Sequence, residues 1–195
     1  ICATLLFFPF LVQATSCSEN GYTVVFINGV SNTKQQAESN KVALSNALKS
    51  TYNNEKITYK LGYNQTHLAV VGDLIETILP VFDQYDLDTI LMQMHTDVTT
   101  RKVLLVGHSQ GSMYANKIYE YLTKHGMPAE DVAVYAVATP DSYVAGNGTY
   151  INYEFDTVIY DVLIKQGIHP LKANATLTDF FNSPDNSATS GQGHS

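Results

Sequence analysis

The stretch "KVLLVGHSQGSMYANKIYEYL", residues 102–122, governs the reading of everything around it. Val103 to Val106 form a continuous apolar run of the length a single buried strand needs. Gly107-His108-Ser109-Gln110-Gly111 interrupts that run, and from Gln110 to Lys124 the pattern takes on helical periodicity. A serine with a glycine two positions away on each side fits a strand–turn–helix in which backbones approach too closely for side chains at 107 and 111. In such a turn Ser109 takes a strained backbone conformation, and its oxygen is expected to stand exposed above the strand end, at the positive end of the following helix. The five-residue pattern is weak alone, since by composition it arises by chance in roughly one chain of this length in fifteen to twenty. The strand before it and the helix after it supply the context that a chance match lacks, which favours a nucleophile over a merely structural glycine-rich turn.

Upstream, Tyr22 to Ile27 reads as a buried strand stopped by Asn28-Gly29, with Ser31 or Asn32 available to cap the next helix. In residues 33–52, Ala37, Val42, Ala43, Leu44, Ala47 and Leu48 gather on one side of an amphipathic helix that packs on a sheet. "KITYKLGYN", residues 56–64, alternates like a short strand near an edge. Residues 67–95 carry no strand signal and read as two helical stretches separated by Pro80 and the acidic "DQYDLD". A helical insertion before the nucleophile strand could cover a cleft; Ile90, Leu91, Met92 and Met94 suit acyl contacts or, more simply, core packing. Downstream, "DVAVYAVA" (131–138) and "YINYEF" (150–155) read as further strands. Alternating strands and helices predict an α/β fold, a mostly parallel sheet with helices on both faces.

Composition agrees with a single packed domain: 195 residues, 45% hydrophobic and 15% charged, without internal repeats or a linker. A formal net charge of -7, with no cluster of lysines or arginines, repels phosphate backbones and excludes nucleic acid as a natural partner. Residues 1–16 are apolar, broken by Pro9 and closed by small residues at 14–16, and look like the remnant of a signal peptide; a buried N-terminal helix is the alternative. Residues 17–195 then form the domain, exported to the periplasm or secreted. Cleavage would remove Cys2 and leave Cys17 without an intramolecular partner. A lipid anchor at Cys17 is disfavoured because Ala14 stands where lipoprotein signals carry leucine. The terminal "NSPDNSATSGQGHS" (182–195) is turn-rich and lacks a closing helix, which suggests that the chain is truncated there.

On the elbow at 107–111 and on "VFINGV" (25–30), which stands where the family usually shows "HG" after an early strand, the chain resembles the α/β-hydrolase family, in particular its lipase and esterase branch. The resemblance covers about residues 21–195 and implies the α/β-hydrolase fold. It implies an oxyanion hole made by the main-chain N–H of Gln110 and one from the early loop, Val30, with Gly29 shaping the turn and Asn28 replacing the common histidine. It also implies the order serine, acid, histidine for a triad in which imidazole takes the serine proton and a carboxylate orients it. His125, His169 and His194 follow Ser109. His125 ends the helix leaving the elbow and points away, and His108 cannot readily present its ring to its own neighbour. His194 is preferred because "GQGHS" lies in a late loop, where the family places its base; His169, before Pro170, is the alternative. Asp156, at the end of "NYEF" and before a helix start, stands as in the family's acid-bearing loop, although an N-cap role suits the same position. Asp141, Glu154 and Asp161 are weaker candidates.

These residues imply an exported serine hydrolase that cleaves carboxylic esters, lipid esters among them, through an acyl-enzyme. No cofactor or metal is called for, and H-E-x-x-H, C-x-x-C and G-x-x-x-x-G-K-[ST] are absent from the sequence. A thioesterase, amidase or acyltransferase would use the same triad, and a noncatalytic envelope binding protein could keep the fold. Sequons at Asn64, Asn147 and Asn174 would matter only in a eukaryotic secretory pathway.

Overall fold

The computed structural model describes residues 18–65, 84–97, 100–164 and 167–182. Its elements are β1 (Ser18–Ile27), α1 (Lys34–Ala47), β2 (Thr51–Tyr52), β3 (Glu55–Gly62), α2 (Gln84–Asp97), β4 (Thr100–His108), α3 (Gln110–Lys124), β5 (Val132–Val137), β6 (Thr149–Ile151) and α4 (Leu177–Asn182), with a π-helical turn at Val158–Leu163 before α4. The six strands form one sheet in the order β2-β3-β1-β4-β5-β6, and only the β2–β3 pair is antiparallel. The α/β expectation therefore holds, with a mixed, mostly parallel sheet.

Alternation along each strand sorts the core into two layers. Val25, Ile27, Val103, Leu105, Val132 and Val134 face α2 and α3, where Leu87, Ile90, Met94, Tyr114 and Ile118 meet them. Val24, Phe26 and Val106 face the other way and pack with Leu44 of α1. Strands apolar on both faces are what a parallel sheet between helices requires, and each fully buried aliphatic side chain contributes about 1.5–3 kcal/mol. Ile90 and Met94 are core, whereas Met92 is 73% exposed. The adjacent Ile90 and Met94 thus follow the simpler packing reading.

From β1 the chain moves outward to β3, and then returns to the opposite side of β1 with β4. Connections therefore diverge between β1 and β4, and in open α/β sheets such a switch point opens a crevice beyond the carboxyl ends of the strands. Ser109 follows β4 at that place, and Asn28 follows β1.

Several local expectations need correction. Thr33, rather than Ser31 or Asn32, caps α1, through a reciprocal capping box with Gln36. Ser31 is instead the left-handed residue of the preceding turn, at φ 61°. Val42 and Leu48 are exposed, so the buried stripe of α1 is narrower than its sequence suggests. The acidic "DQYDLD" is no connector, because Gln84 to Asp88 already belong to α2, with Gln84 donating to Asp88 Oδ1 at 2.8 Å. The last strand ends at Ile151, not at residue 155, because the Asn152 side chain takes over from the ladder: its Oδ1 accepts from Thr139 N at 2.8 Å and its Nδ2 donates to Leu171 O at 3.1 Å. Tyr153 makes only an isolated bridge to Ala175. The apolar residues 1–16, Cys17, Pro80 with the first helical stretch, and the loop carrying His194 lie outside the described residues.

Candidate active site

Close approach of backbones fixes the elbow. A Cβ on Gly107 would lie 2.4 Å from Ser112 Cα, and one on Gly111 would lie 2.2 Å from Ile27 O. No side chain fits at either position, which is the physical content of the glycine spacing. Between them Ser109 adopts φ 53°, ψ -128°, a strained conformation for a residue with a side chain. The strain is held by hydrogen bonds: Ser109 N–H donates to Val137 O at 2.8 Å, and its carbonyl accepts from Ser112 N at 2.9 Å and Ser112 Oγ at 2.7 Å. Ser112 Oγ also pairs with Thr139 Oγ1 at 2.6 Å, tying the elbow to the end of β5. Ser109 is only 3% exposed, so it is more enclosed than the expected open hydroxyl. The loop after β1 forms one wall of this enclosure, since a Cβ on Gly29 would come within 2.9 Å of Ser109 Cβ.

That loop carries the other half of the site. Val30 is half-buried in the turn after Gly29, and Gln110, 2% exposed, opens α3 directly after Ser109. The first main-chain N–H groups of a helix have no intrahelical acceptor and sit at its positive end. Elbow, early loop and first helical turn thus meet at the switch point of the sheet. No family model, curated protein or solved structure matches the chain.

Asp156 is 1% exposed, five residues past the end of β6, and its Oδ1 accepts from Ile159 N at 3.1 Å. The N-cap contact is therefore present, at the start of the π-helical turn. Asp141 is bound by Asn116 Nδ2 at 3.0 Å and by Ser142 N at 2.8 Å, Glu154 accepts from Leu177 N, and the side chain of Asp161 is outside the described residues. His125 is turned back on α3, stacked on Tyr121 with ring centroids 4.0 Å apart, which removes it from the strand ends. His169 comes just after the helical turn that ends at Ile164, which is closed by Gly167 N donating to Ile164 O at 3.0 Å and Ile168 N donating to Leu163 O at 3.2 Å, and it is exposed. Two residues on, Leu171 is pinned to that edge of the sheet by Asp141 O at 2.9 Å and by Asn152.

Titration around the site is shaped by burial. Burial, with a smaller contribution from Asp156, pushes the Tyr160 phenol up, and Tyr160 donates to Leu171 O at 3.0 Å. Among the described residues, no three His, Cys, Asp or Glu side chains converge to hold a metal ion. A groove of about 730 Å³ lies toward the opposite end of the sheet, lined by Tyr22, Lys102 and Val132 of three strands beside Leu48, Tyr52 and Ile57. It does not touch the elbow, and the chemistry argues for the elbow as the site.

Sequence reasoning missed Asn64, Ser112, Thr139 and Asn152. Asn64 was visible only as a sequon and as the end of the strand reading 56–64, which in the structure stops at Gly62, yet it is fully buried with its Nδ2 donating to Gln110 Oε1 at 2.8 Å, which leaves no room for a glycan in the fold. Asn152 carried no comparable signal, because it falls inside the run 150–155 that reads as a strand, whereas β6 ends at Ile151.

Proposed function

We propose that the protein is a serine hydrolase of the α/β-hydrolase type that cleaves carboxylic esters through an acyl-enzyme on Ser109. The observation that supports this reading most is the strained Ser109 between two glycines whose places no side chain could fill, at the switch point between β1 and β4. Ser109 Oγ attacks the ester carbonyl as its proton passes to the imidazole of His194. The tetrahedral oxyanion is held by the N–H groups of Val30 and Gln110, and the alcohol leaves with the proton from the imidazole. Water then repeats the sequence and releases the acid. Asp156 steadies the imidazolium. Low-polarity residues 1–16 support export, and a small-molecule or lipid ester is the partner.

The enclosure of Ser109 favours one rival, a noncatalytic binding protein that keeps the fold. Hydrolysis of p-nitrophenyl esters of rising chain length separates the two. The parent should turn over, and Ser109→Ala should lose at least about 10³-fold in kcat. Full activity in Ser109→Ala contradicts the proposal, and no activity in a folded parent favours the rival. His194→Ala should match Ser109→Ala, whereas His169→Ala should not; the reverse result moves the base to His169. Parallel assays with acyl-CoA and peptide anilides distinguish an esterase from a thioesterase or amidase.

A further inference from the structure

We infer that Asn28 and Asn64 are positioning residues of the oxyanion hole: with Gln110 they form a buried chain of side-chain amides that aims the main-chain N–H groups of Val30 and Gln110 toward Ser109. This rests on the acyl-transfer reading above and specifies how its electrostatic part is built.

The chain of amides is continuous. Asn28 Oδ1 accepts from Asn64 N at 3.0 Å, and Asn28 Nδ2 donates to Asn64 O at 3.0 Å. One side chain thus clasps both main-chain groups of Asn64, as a neighbouring strand would, just beyond the last β1–β3 ladder pair at Ile27 and Gly62. Asn64 Nδ2 in turn donates to Gln110 Oε1 at 2.8 Å. Asn28 and Asn64 are fully buried and Gln110 is 2% exposed. Buried amides left unpaired are costly, so such a chain holds its members in one arrangement.

Its consequence for the early loop follows from peptide geometry. Asn28 Nδ2 also donates to Gly29 O at 2.8 Å, drawing that carbonyl inward. The peptide bonds are trans, so the N–H of Val30 lies on the opposite side of the same plane and points away from Asn28. Asn32 Nδ2 holds the next carbonyl, Val30 O, at 3.1 Å, and reaches Gly29 O at 3.4 Å. The peptide so fixed runs past Ser109, as the 2.9 Å approach at Gly29 shows. On the other side, tethering the Gln110 side chain to Asn64 sets the first residue of α3, whose main-chain N–H is the second donor. Asparagine at position 28 thereby does a job that neither histidine nor an apolar residue would do in this framework: it accepts one bond and donates two.

The test is amide NMR on the protein before and after reaction with diethyl p-nitrophenyl phosphate, which leaves a phosphoryl oxygen where the oxyanion forms, together with ester kinetics of Asn28→Asp. In the parent, the Val30 and Gln110 amide protons should both move downfield in the adduct. Asn28→Asp keeps the size but loses both donated bonds. Its kcat should fall roughly 10- to 100-fold with KM within about twofold, and its adduct should lose the Val30 shift while keeping that of Gln110. Unchanged kcat in Asn28→Asp, with Ser109 still required, overturns this inference and leaves the hydrolase reading intact. Should Asn28→Asp fail to fold, the parent adduct decides: a Gln110 shift without a Val30 shift overturns it. A parent in which Ser109 forms no adduct overturns the hydrolase reading itself.

Discussion

At position 111 a methyl group would sit 2.2 Å from Ile27 O and 2.7 Å from Asn28 O, both main chain and unable to yield cheaply. Gly111→Ala is therefore expected to destabilise the protein by at least about 3 kcal/mol in urea unfolding. Gly126→Ala, with nothing within 4 Å but φ at +97°, should lose only about 1–2 kcal/mol through backbone strain. Gly111 has no positive φ, so a loss there no larger than that of Gly126→Ala would mean that the contact with Ile27 O relaxes at little cost and does not demand the glycine. Residues of this kind are legible in a sequence because their requirement is local and leaves a fixed spacing. Asn64 is not, because its partners Asn28 and Gln110 are 36 and 46 positions away, and nothing in its neighbourhood distinguishes it from an exposed sequon. Asp156 lies between: an acid before a helix start is visible, but an N-cap and a triad acid occupy the same kind of position.

Among the elements, β1, β4 and α3 follow their sequence patterns closely, because continuous apolar runs and a 3.6-residue period leave few alternatives. Ends are less legible. β6 stops where a side-chain amide competes for the ladder, and the α1 cap shifts to Thr33 once Ser31 is used by the turn. α3 also carries a pH-dependent tie to the segment after β5, in which Tyr143 donates to Glu120 Oε1 at 2.8 Å and Lys117 lies 3.0 Å from Glu120 Oε2. Burial works to raise the Glu120 pKa, but hydrogen bonds from Lys117 and Tyr143, with the charge of Lys117, outweigh it and hold the group below its ordinary value of 4.5. Burial and the Glu120 hydrogen bond push the Tyr143 phenol well up. For a carboxyl depressed in the folded state, stability is present above the ordinary value and lost as pH falls through the lowered one. Solvent screening keeps the contribution below about 1 kcal/mol. Thermal melting from about pH 5 to pH 3 should accordingly fall less steeply in Glu120→Gln than in the parent; parallel curves would remove the tie.

For the whole molecule, two apolar layers hold one sheet, and the class of fold was legible because strands apolar on both faces have few other uses. Strand order was not, since it depends on long-range pairing that no local pattern encodes. Ile118→Ala, at a fully buried site between α3 and the sheet, should destabilise the protein by about 2–5 kcal/mol, in contrast to Val42→Ala at a half-exposed site, expected within about 0.5 kcal/mol by the same unfolding measurement. The order β3-β1-β4 brings the ends of three strands, and with them Asn64, Gly29 and Ser109, together at the end of the sheet opposite the groove. The most direct measurement is mass spectrometric mapping of a fluorophosphonate adduct on the folded protein. The account predicts one phosphonylated residue, Ser109, with labelling lost in Ser109→Ala; an unlabelled Ser109, or an adduct elsewhere that persists in Ser109→Ala, contradicts it.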